Sequence, residues 1–105
     1  MAEPLSTGIY RVCDAAAHIS FIGYTYNLRG ILKRFRFELG LNVCTFKPLQ
    51  LMYNAAGGRV SMEILEEISG ADANDEKSEE ILKAALCKWQ KKLEDAGETV
   101  KIIML

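Results

Sequence analysis

Four large apolar residues recur near the C-terminal end of the chain at spacings of four, three and four, and this stripe is the strongest constraint on its fold. The stripe consists of Leu82, Leu86, Trp89 and Leu93. Such spacing places all four side chains on one face of an α-helix, where they are buried together. Ser78 is a suitable N-cap, and the acidic residues that follow it complement the positive end of the helix dipole. The sequence therefore predicts a helix over residues 78–95.

Two further helices are predicted before this one. Thr45 is a candidate N-cap for a helix that ends at Gly57-Gly58, since glycine accepts the positive φ of a helix terminus. Ser61 is a candidate N-cap for a second helix, Met62 to Ser69, in which the apolar residues have helical spacing. Residues 45–97 therefore form three successive helices in this interpretation. A short strand over residues 99–105 follows them.

The first half of the chain is rich in aromatic and β-branched residues and predicts strands instead. Residues 19–26 have strand composition, and Lys33 to Glu38 alternates in the period of a strand from Arg34 onward. We therefore expect a small antiparallel sheet over residues 8–44, preceded by a flexible N-terminus at 1–7. The predicted fold class is α+β. One alternative stays open, in which Cys13 to His18 begins a helix and Ile31 to Leu39 is helical.

Composition narrows the class of protein. A length of 105 residues fits one domain, here residues 8–105, and 50% hydrophobic residues fit a globular chain. The net charge of −1 does not by itself indicate a nucleic-acid partner. Three dispersed cysteines without a CxxC pair predict neither disulfides nor a zinc site. With no signal-peptide pattern and no long apolar run, we expect a cytoplasmic protein that has no membrane partner.

The C-terminal sixty or so residues resemble a known family of DNA-binding domains. The resemblance rests on Thr45 to Met52, Gly58-Arg-Val-Ser61, Glu63 to Ile68 and Lys91-Lys-Leu-Glu94. These segments are similar to the winged helix-turn-helix effector domain of OmpR/PhoB-type response regulators. The resemblance implies a winged-helix fold, a small sheet before the first helix, and a third helix that lies in the DNA major groove. The sequence departs from the family in having one strand after the third helix where the family has a hairpin.

The function implied by the resemblance is transcription regulation through double-stranded DNA. The candidate DNA-binding residues on the exposed face of the third helix are Lys83, Cys87, Lys88, Gln90 and Lys91. Lysine can pair with guanine and glutamine with adenine, while other lysines neutralise phosphates. Arg59 and Lys47 are candidate contacts to the DNA backbone. The modest charge suggests a homodimer or a protein partner as well.

Two other interpretations accompany this one. The alternative function is a protein–protein interaction module on a winged-helix scaffold without DNA binding. Separately, a basic strand with Arg34 and Arg36 is typical of platforms for single-stranded nucleic acid when aromatic residues flank it, here Tyr24, Tyr26, Phe35 and Phe37. No catalytic motif is recognised, and the single histidine, His18, has no paired acid nearby in sequence. We therefore predict no enzymatic activity, no catalytic residue, no metal, no cofactor and no small-molecule substrate.

Overall fold

The centre of the fold is a mixed sheet of four strands. The computed structural model describes residues 6–68 and 76–103. Along the chain the elements are β1 (Gly8–Asp14), β2 (Ile19–Thr25), α1 (Leu28–Gly40), α2 (Lys47–Ala55), β3 (Ser61–Glu67), α3 (Glu76–Asp95) and β4 (Thr99–Ile102). The strand order is β3-β1-β2-β4. The β1 strand is antiparallel to β2 and β3, and β4 is parallel to β2.

The two central strands form a hairpin. Their register pairs Gly8 with Thr25 at one end and Asp14 with Ile19 at the other. The carboxylate of Asp14 accepts hydrogen bonds from the backbone amides of Ala16 and Ala17, at 3.1 and 3.4 Å, and so shapes the connecting turn. The alanine run therefore forms a turn, and the alternative of a helix beginning at Cys13 is wrong.

Alternation along these strands sends side chains to two separate cores. Tyr10, Val12 and Phe21 face α1 and α2, whereas Ile9 and Ile22 face α3. Both central strands are largely buried because helices cover the sheet on both sides. The two faces of the sheet therefore carry different surfaces of the protein, one formed by α1 and α2 and one by α3.

The segment predicted as a second basic strand is the helix α1. Its buried residues Leu28, Phe35 and Leu39 lie at helical spacings of seven and four. The Asn27 side chain caps it by accepting a hydrogen bond from the amide of Gly30 at 3.0 Å. Phe37 is 67% exposed, so Phe35 and Phe37 do not share a face as the strand prediction required. The helical alternative for residues 31–39 is confirmed, and the prediction of a sheet throughout 8–44 is wrong.

The first predicted helix is confirmed as α2, although Phe46 and not Thr45 occupies the N-cap position. Its end lies at the two glycines, where Gly57 and Gly58 have φ values of 63° and 82°. The amide of Gly58 donates to the carbonyl oxygen of Tyr53 at 3.0 Å. Only glycine takes this left-handed conformation without steric cost, which explains why the helix ends here.

The second predicted helix is in fact the edge strand β3. Tyr10 pairs with Ile64 and Ile9 with Glu66, so Leu65 is an extra residue that forms a bulge. The bulge interrupts the alternation of a strand and leaves apolar residues at spacings that match a helix. The predicted range 62–69 also includes residue 69, which lies outside the described residues.

The C-terminal elements follow the prediction closely. The third helix, predicted over 78–95, is α3 (Glu76–Asp95), so Ser78 lies within the helix and is not its N-cap as predicted. Leu82 and Leu86 are the buried apolar residues of α3. The predicted last strand is β4, while positions 104–105 lie outside the described residues, as do positions 1–5 of the predicted flexible N-terminus. Among the helices described, none combines the length and the apolar character needed to cross a membrane.

Candidate functional site

Three elements meet at one end of the sheet, where β2 ends. The α1 helix begins three residues after β2, and the first turns of α3 lie beside the same strand end. Tyr24 is the next-to-last residue of β2 and projects toward α3, on the same face as Ile22. This strand end therefore brings side chains from two distant parts of the chain together at a partly exposed position.

The contacts at this end centre on the carboxylate of Glu79 in α3. The Tyr24 hydroxyl donates a hydrogen bond to Glu79 Oε1 at 3.3 Å, and Lys83 Nζ lies 3.3 Å from the same oxygen. Both contacts involve Oε1, and no described residue contacts Oε2. The side chains of Glu79 and Lys83 are 50% and 62% exposed. We call Tyr24, Glu79 and Lys83 the carboxylate cluster.

The phenol of Tyr24 is held in its protonated form. Burial raises its pKa above the ordinary value, and the charge and hydrogen bond of Glu79 raise it further. Tyr24 is therefore a hydrogen-bond donor to the carboxylate rather than a nucleophile. The Tyr26 ring packs edge-on against it, with ring centroids 6.5 Å apart, and restricts its position.

A second polar cluster lies on the same face toward the other end of the sheet. Arg11 donates to Ser20 at 2.9 Å, to Glu63 at 2.7 Å and to Glu98 at 2.6 Å. These contacts join β1 to both neighbouring strands and to the residue that precedes β4. The guanidinium is fully engaged, so we assign this cluster to the stability of the sheet. His18 Nδ1 lies 3.6 Å from Glu98 Oε2, a buried oxygen without a described hydrogen-bond partner.

Neither cluster is a preformed metal cage. The described residues contain no group of three or more histidine, cysteine, aspartate or glutamate side chains able to hold a metal ion. The carboxylate cluster offers a single carboxylate with one uncontacted oxygen. Such a donor set fits a hard cation like Mg²⁺ only when water and a substrate phosphate complete its coordination.

The structure separates the residues that the sequence predicted as DNA contacts. Those on α3 are exposed except Gln90, which is half-buried. Lys88 is paired with Glu66 at 2.9 Å, and the same carboxylate accepts a hydrogen bond from the Trp89 indole at 2.8 Å. Lys83 belongs to the carboxylate cluster. Contact of these residues with DNA stays a prediction.

The other two predicted contacts lie with α2, on the opposite side of the sheet from α3. Lys47 is the first residue of α2, and Arg59 follows the glycine turn before β3. Both are exposed. The sheet separates α2 from α3. One continuous surface therefore cannot contain Lys47, Arg59 and the lysines of α3.

Sequence reasoning missed the association of Tyr24 with Glu79. It assigned the acidic residues after Ser78, which include Glu79, to the helix dipole, whereas the structure pairs Glu79 with Lys83 as well. It assigned Tyr24 to an aromatic platform together with Phe35, but Tyr24 faces α3 whereas Phe35 packs in the core on the α1 side. Only the pairing of the strands shows that Tyr24 reaches the first turns of α3.

Solved structures share this fold. A structure of the catalytic domain of the homing endonuclease I-TevI superposes with a TM-score of 0.68 at 20% sequence identity, covering 94% of this chain and 99% of that one. A second structure, of the catalytic domain of the same intron endonuclease with one glutamate changed to alanine, gives 0.68 and 20% over 92% and 93% of the two chains. No protein-family model matches the sequence, and no curated protein matches it.

These comparisons correct three predictions. The likeness to response-regulator effector domains is wrong, because the fold is that of an endonuclease catalytic domain and the second helix of the predicted motif is a strand. The prediction of a protein without enzymatic activity is contradicted by the same likeness, since the solved domains with this fold are catalytic. Transcription regulation by a winged helix loses its support with the fold. The coarser class α+β is confirmed, with a four-stranded mixed sheet and three helices.

Proposed function

We propose that this chain binds DNA and hydrolyses its phosphodiester bonds at the carboxylate cluster. The supporting observation is that, among the described residues, Tyr24 and Lys83 both contact Glu79 through Oε1, at an exposed strand end of an endonuclease-like fold. The two solved structures are 20% identical to this chain and support its fold. The support for hydrolysis comes from the residues of the carboxylate cluster.

The chemistry requires a proton acceptor, a cation beside the phosphate and a fixed geometry. Glu79 Oε2 takes a proton from a water molecule, whose oxygen then attacks phosphorus. The bond from phosphorus to one ester oxygen breaks, and that oxygen takes a proton from solvent. Lys83 stabilises the negative charge that develops on the non-bridging oxygens, while Tyr24 keeps the carboxylate oriented.

The carboxylate cluster is compatible with a divalent cation, although it is not a preformed metal site. Glu79 Oε2 is the atom that would hold Mg²⁺, together with water and the substrate phosphate, and in that case it would position the ion and not accept the proton. When bound, such an ion stabilises charge on the phosphate. The roles of Tyr24 and Lys83 do not depend on it.

An exposed pair of opposite charges at i,i+4 also occurs as an ordinary surface feature of helices. The hydrogen bond from Tyr24 distinguishes this case, because it joins the pair to a strand 55 residues away in sequence. If the pair of Glu79 and Lys83 were only a surface feature, a variant without the Glu79 carboxylate would keep its nuclease activity.

The test is nicking of supercoiled plasmid DNA by the purified chain with Mg²⁺, Mn²⁺ or EDTA. We expect Glu79→Gln to lower the nicking rate at least about a hundredfold, the size of effect typical of a general base. The matched control is Glu80→Gln, since Glu80 is the adjacent exposed glutamate on the same helix turn. Equal loss in both variants, or no nicking by the folded wild-type chain with either cation, would refute the proposal.

A further inference from the structure

Charge is unevenly divided between the two long helices. The α1 helix has four basic residues against one glutamate, a formal charge of +3, in a chain with a net charge of −1. The α3 helix has five lysines against five acidic residues and is neutral. Lys83 and Lys88 of α3 are paired with Glu79 and Glu66 in addition. Long-range attraction of a polyanion therefore favours α1 over α3.

The basic residues of α1 are arranged on one side of the helix. Arg29, Lys33 and Arg36 lie at spacings of four and three, which places them on a common face, and all three are exposed. No described residue forms an ion pair or a side-chain hydrogen bond with Lys33 or Arg36. Arg34, the fourth basic residue, lies outside this face and is paired with Glu38 at 2.9 Å. We call Arg29, Lys33 and Arg36 the α1 basic face.

The ends of this face have further features that suit a long anion. At its N-terminal end α1 begins three residues after β2, so the face starts near the end of that strand, on the side of the sheet opposite α3. At the other end Arg36 lines a hollow of about 210 Å³ together with Gly58 and Val60.

We infer that the α1 basic face binds the sugar–phosphate backbone of double-stranded DNA. The inference rests on the proposed function for the identity of the polyanion. Residues 29 to 36 extend about 10 Å along the helix axis. One strand of B-DNA presents a phosphate about every 3.4 Å of its axis, so the face spans about three phosphates. The binding helix is then α1 and not α3, which the sequence predicted.

The experiment is a fluorescence anisotropy titration of a labelled mixed-sequence duplex in EDTA, over a series of salt concentrations. We expect the double variant Lys33→Gln with Arg36→Gln to bind more weakly. Its slope of log K against log salt should be shallower by about 1.8, at about 0.9 per lost phosphate contact. The matched control is Lys88→Gln with Lys91→Gln on α3, which should keep the wild-type slope.

A variant that adds a positive charge to α1 tests the inference without removing any side-chain interaction. A Cβ atom at Gly40 meets nothing within 4 Å, and Gly40 lies one turn beyond Arg36 on the same side of α1. Gly40→Lys should therefore steepen the slope by about 0.9. Circular dichroism and thermal unfolding of each variant check that the fold is retained.

The outcomes separate this inference from the proposed function. Three results would overturn the inference about the α1 basic face. They are an unchanged slope in the folded α1 variant, a shallower slope in the α3 variant, and no duplex binding by the wild type at low salt. If duplex binding depends on Lys33 and Arg36 but nicking survives Glu79→Gln, the α1 basic face is supported as the DNA-binding surface. The hydrolytic role of Glu79 is then refuted.

Discussion

Arg11 on β1 donates a hydrogen bond of 2.6 Å to Glu98, which lies 87 residues later and directly precedes β4. The side chains of Arg11 and Glu98 are only 17% and 12% exposed. The β4 strand is four residues long, and its first residue pairs with the chain next to β2, through Thr99 N to His18 O at 2.8 Å. The ion pair therefore anchors the start of a short parallel strand, whose four residues pair with β2.

We expect Arg11→Lys to lower the free energy of unfolding by about 1–3 kcal/mol. A lysine retains the charge but not the planar group that reaches Ser20, Glu63 and Glu98 together, and hydrogen bonds to charged groups contribute on that scale. Urea unfolding followed by circular dichroism measures the change. The control is Arg34→Lys, which alters an exposed pair with Glu38 and should cost less than about 0.5 kcal/mol. Equal costs would show that Arg11 is not an anchor.

The helices and strands that the sequence predicted correctly are those whose local sequence pattern agrees with their burial in the fold. The stripe of α3 packs on one face of the sheet, so its period of 3.6 survives in the sequence. The β2 strand was recognised by composition because both its faces are buried. Gly57 and Gly58 marked the end of α2 because their positive φ values require glycine.

The errors arose where local pattern and tertiary structure disagree. Phe37 is exposed, so an apolar residue outside the core completed a false alternation with Phe35 in α1. The bulge at Leu65 gave β3 the spacing of a helix. Exchanging a helix for a strand turned a nuclease-like fold into an apparent winged helix. The carboxylate cluster was not predictable, because Tyr24 and Glu79 meet only through that tertiary structure.

A glycine on β2 is required by a tyrosine on β1. A Cβ atom at Gly23 would lie 2.5 Å from the hydroxyl oxygen of Tyr10, which is itself buried. We expect Gly23→Ala to destabilise the protein by about 1–3 kcal/mol through overpacking. Thermal or urea unfolding reports the change.

A double-mutant cycle with Tyr10→Phe tests this cause. Removing the hydroxyl removes the nearest clashing atom, so the alanine should cost less in the Tyr10→Phe background. Gly40→Ala serves as the control, since its Cβ atom meets nothing and the change should be neutral or stabilising by up to about 1 kcal/mol. An identical cost of Gly23→Ala in both backgrounds would mean that the Tyr10 hydroxyl is not the obstacle.

The ionisation of Glu66 makes the free energy of unfolding depend on pH. The hydrogen bond from Lys88, followed by that from Trp89, lowers the pKa of Glu66 below its ordinary value. A carboxylate with a lowered pKa stabilises the folded state above its unfolded pKa, and this contribution is lost as the pH falls through the folded pKa. Glu66→Gln should therefore flatten the acid side of the stability profile, measured as urea midpoints between neutral and acidic pH. Glu67→Gln is the neighbouring control, and a profile flattened equally by both would contradict the assignment.

The three cysteines should differ in reactivity. Cys13 and Cys44 are buried and Cys87 is exposed. Burial raises the pKa of the Cys13 thiol, which lowers its thiolate fraction further. We expect a thiol-specific reagent to modify one cysteine rapidly in the native protein and all three in denaturant. Cys87→Ser should abolish the rapid phase, and its persistence in that variant would place the reactive thiol elsewhere.

Within the carboxylate cluster, the hydroxyl of Tyr24 should contribute separately from its ring. Tyr24→Phe removes the hydrogen bond of 3.3 Å to Glu79, and a loss of about 1.4 kcal/mol in carboxylate positioning corresponds to a nicking rate about tenfold lower. Tyr26→Phe is the matched control, because the edge contact of its ring with Tyr24 remains and no described residue bonds to its hydroxyl. The plasmid nicking assay compares both variants with the wild type at saturating cation. Equal rates for Tyr24→Phe and Tyr26→Phe would mean that the position of Glu79 does not depend on the Tyr24 hydroxyl, which would contradict the role given to Tyr24.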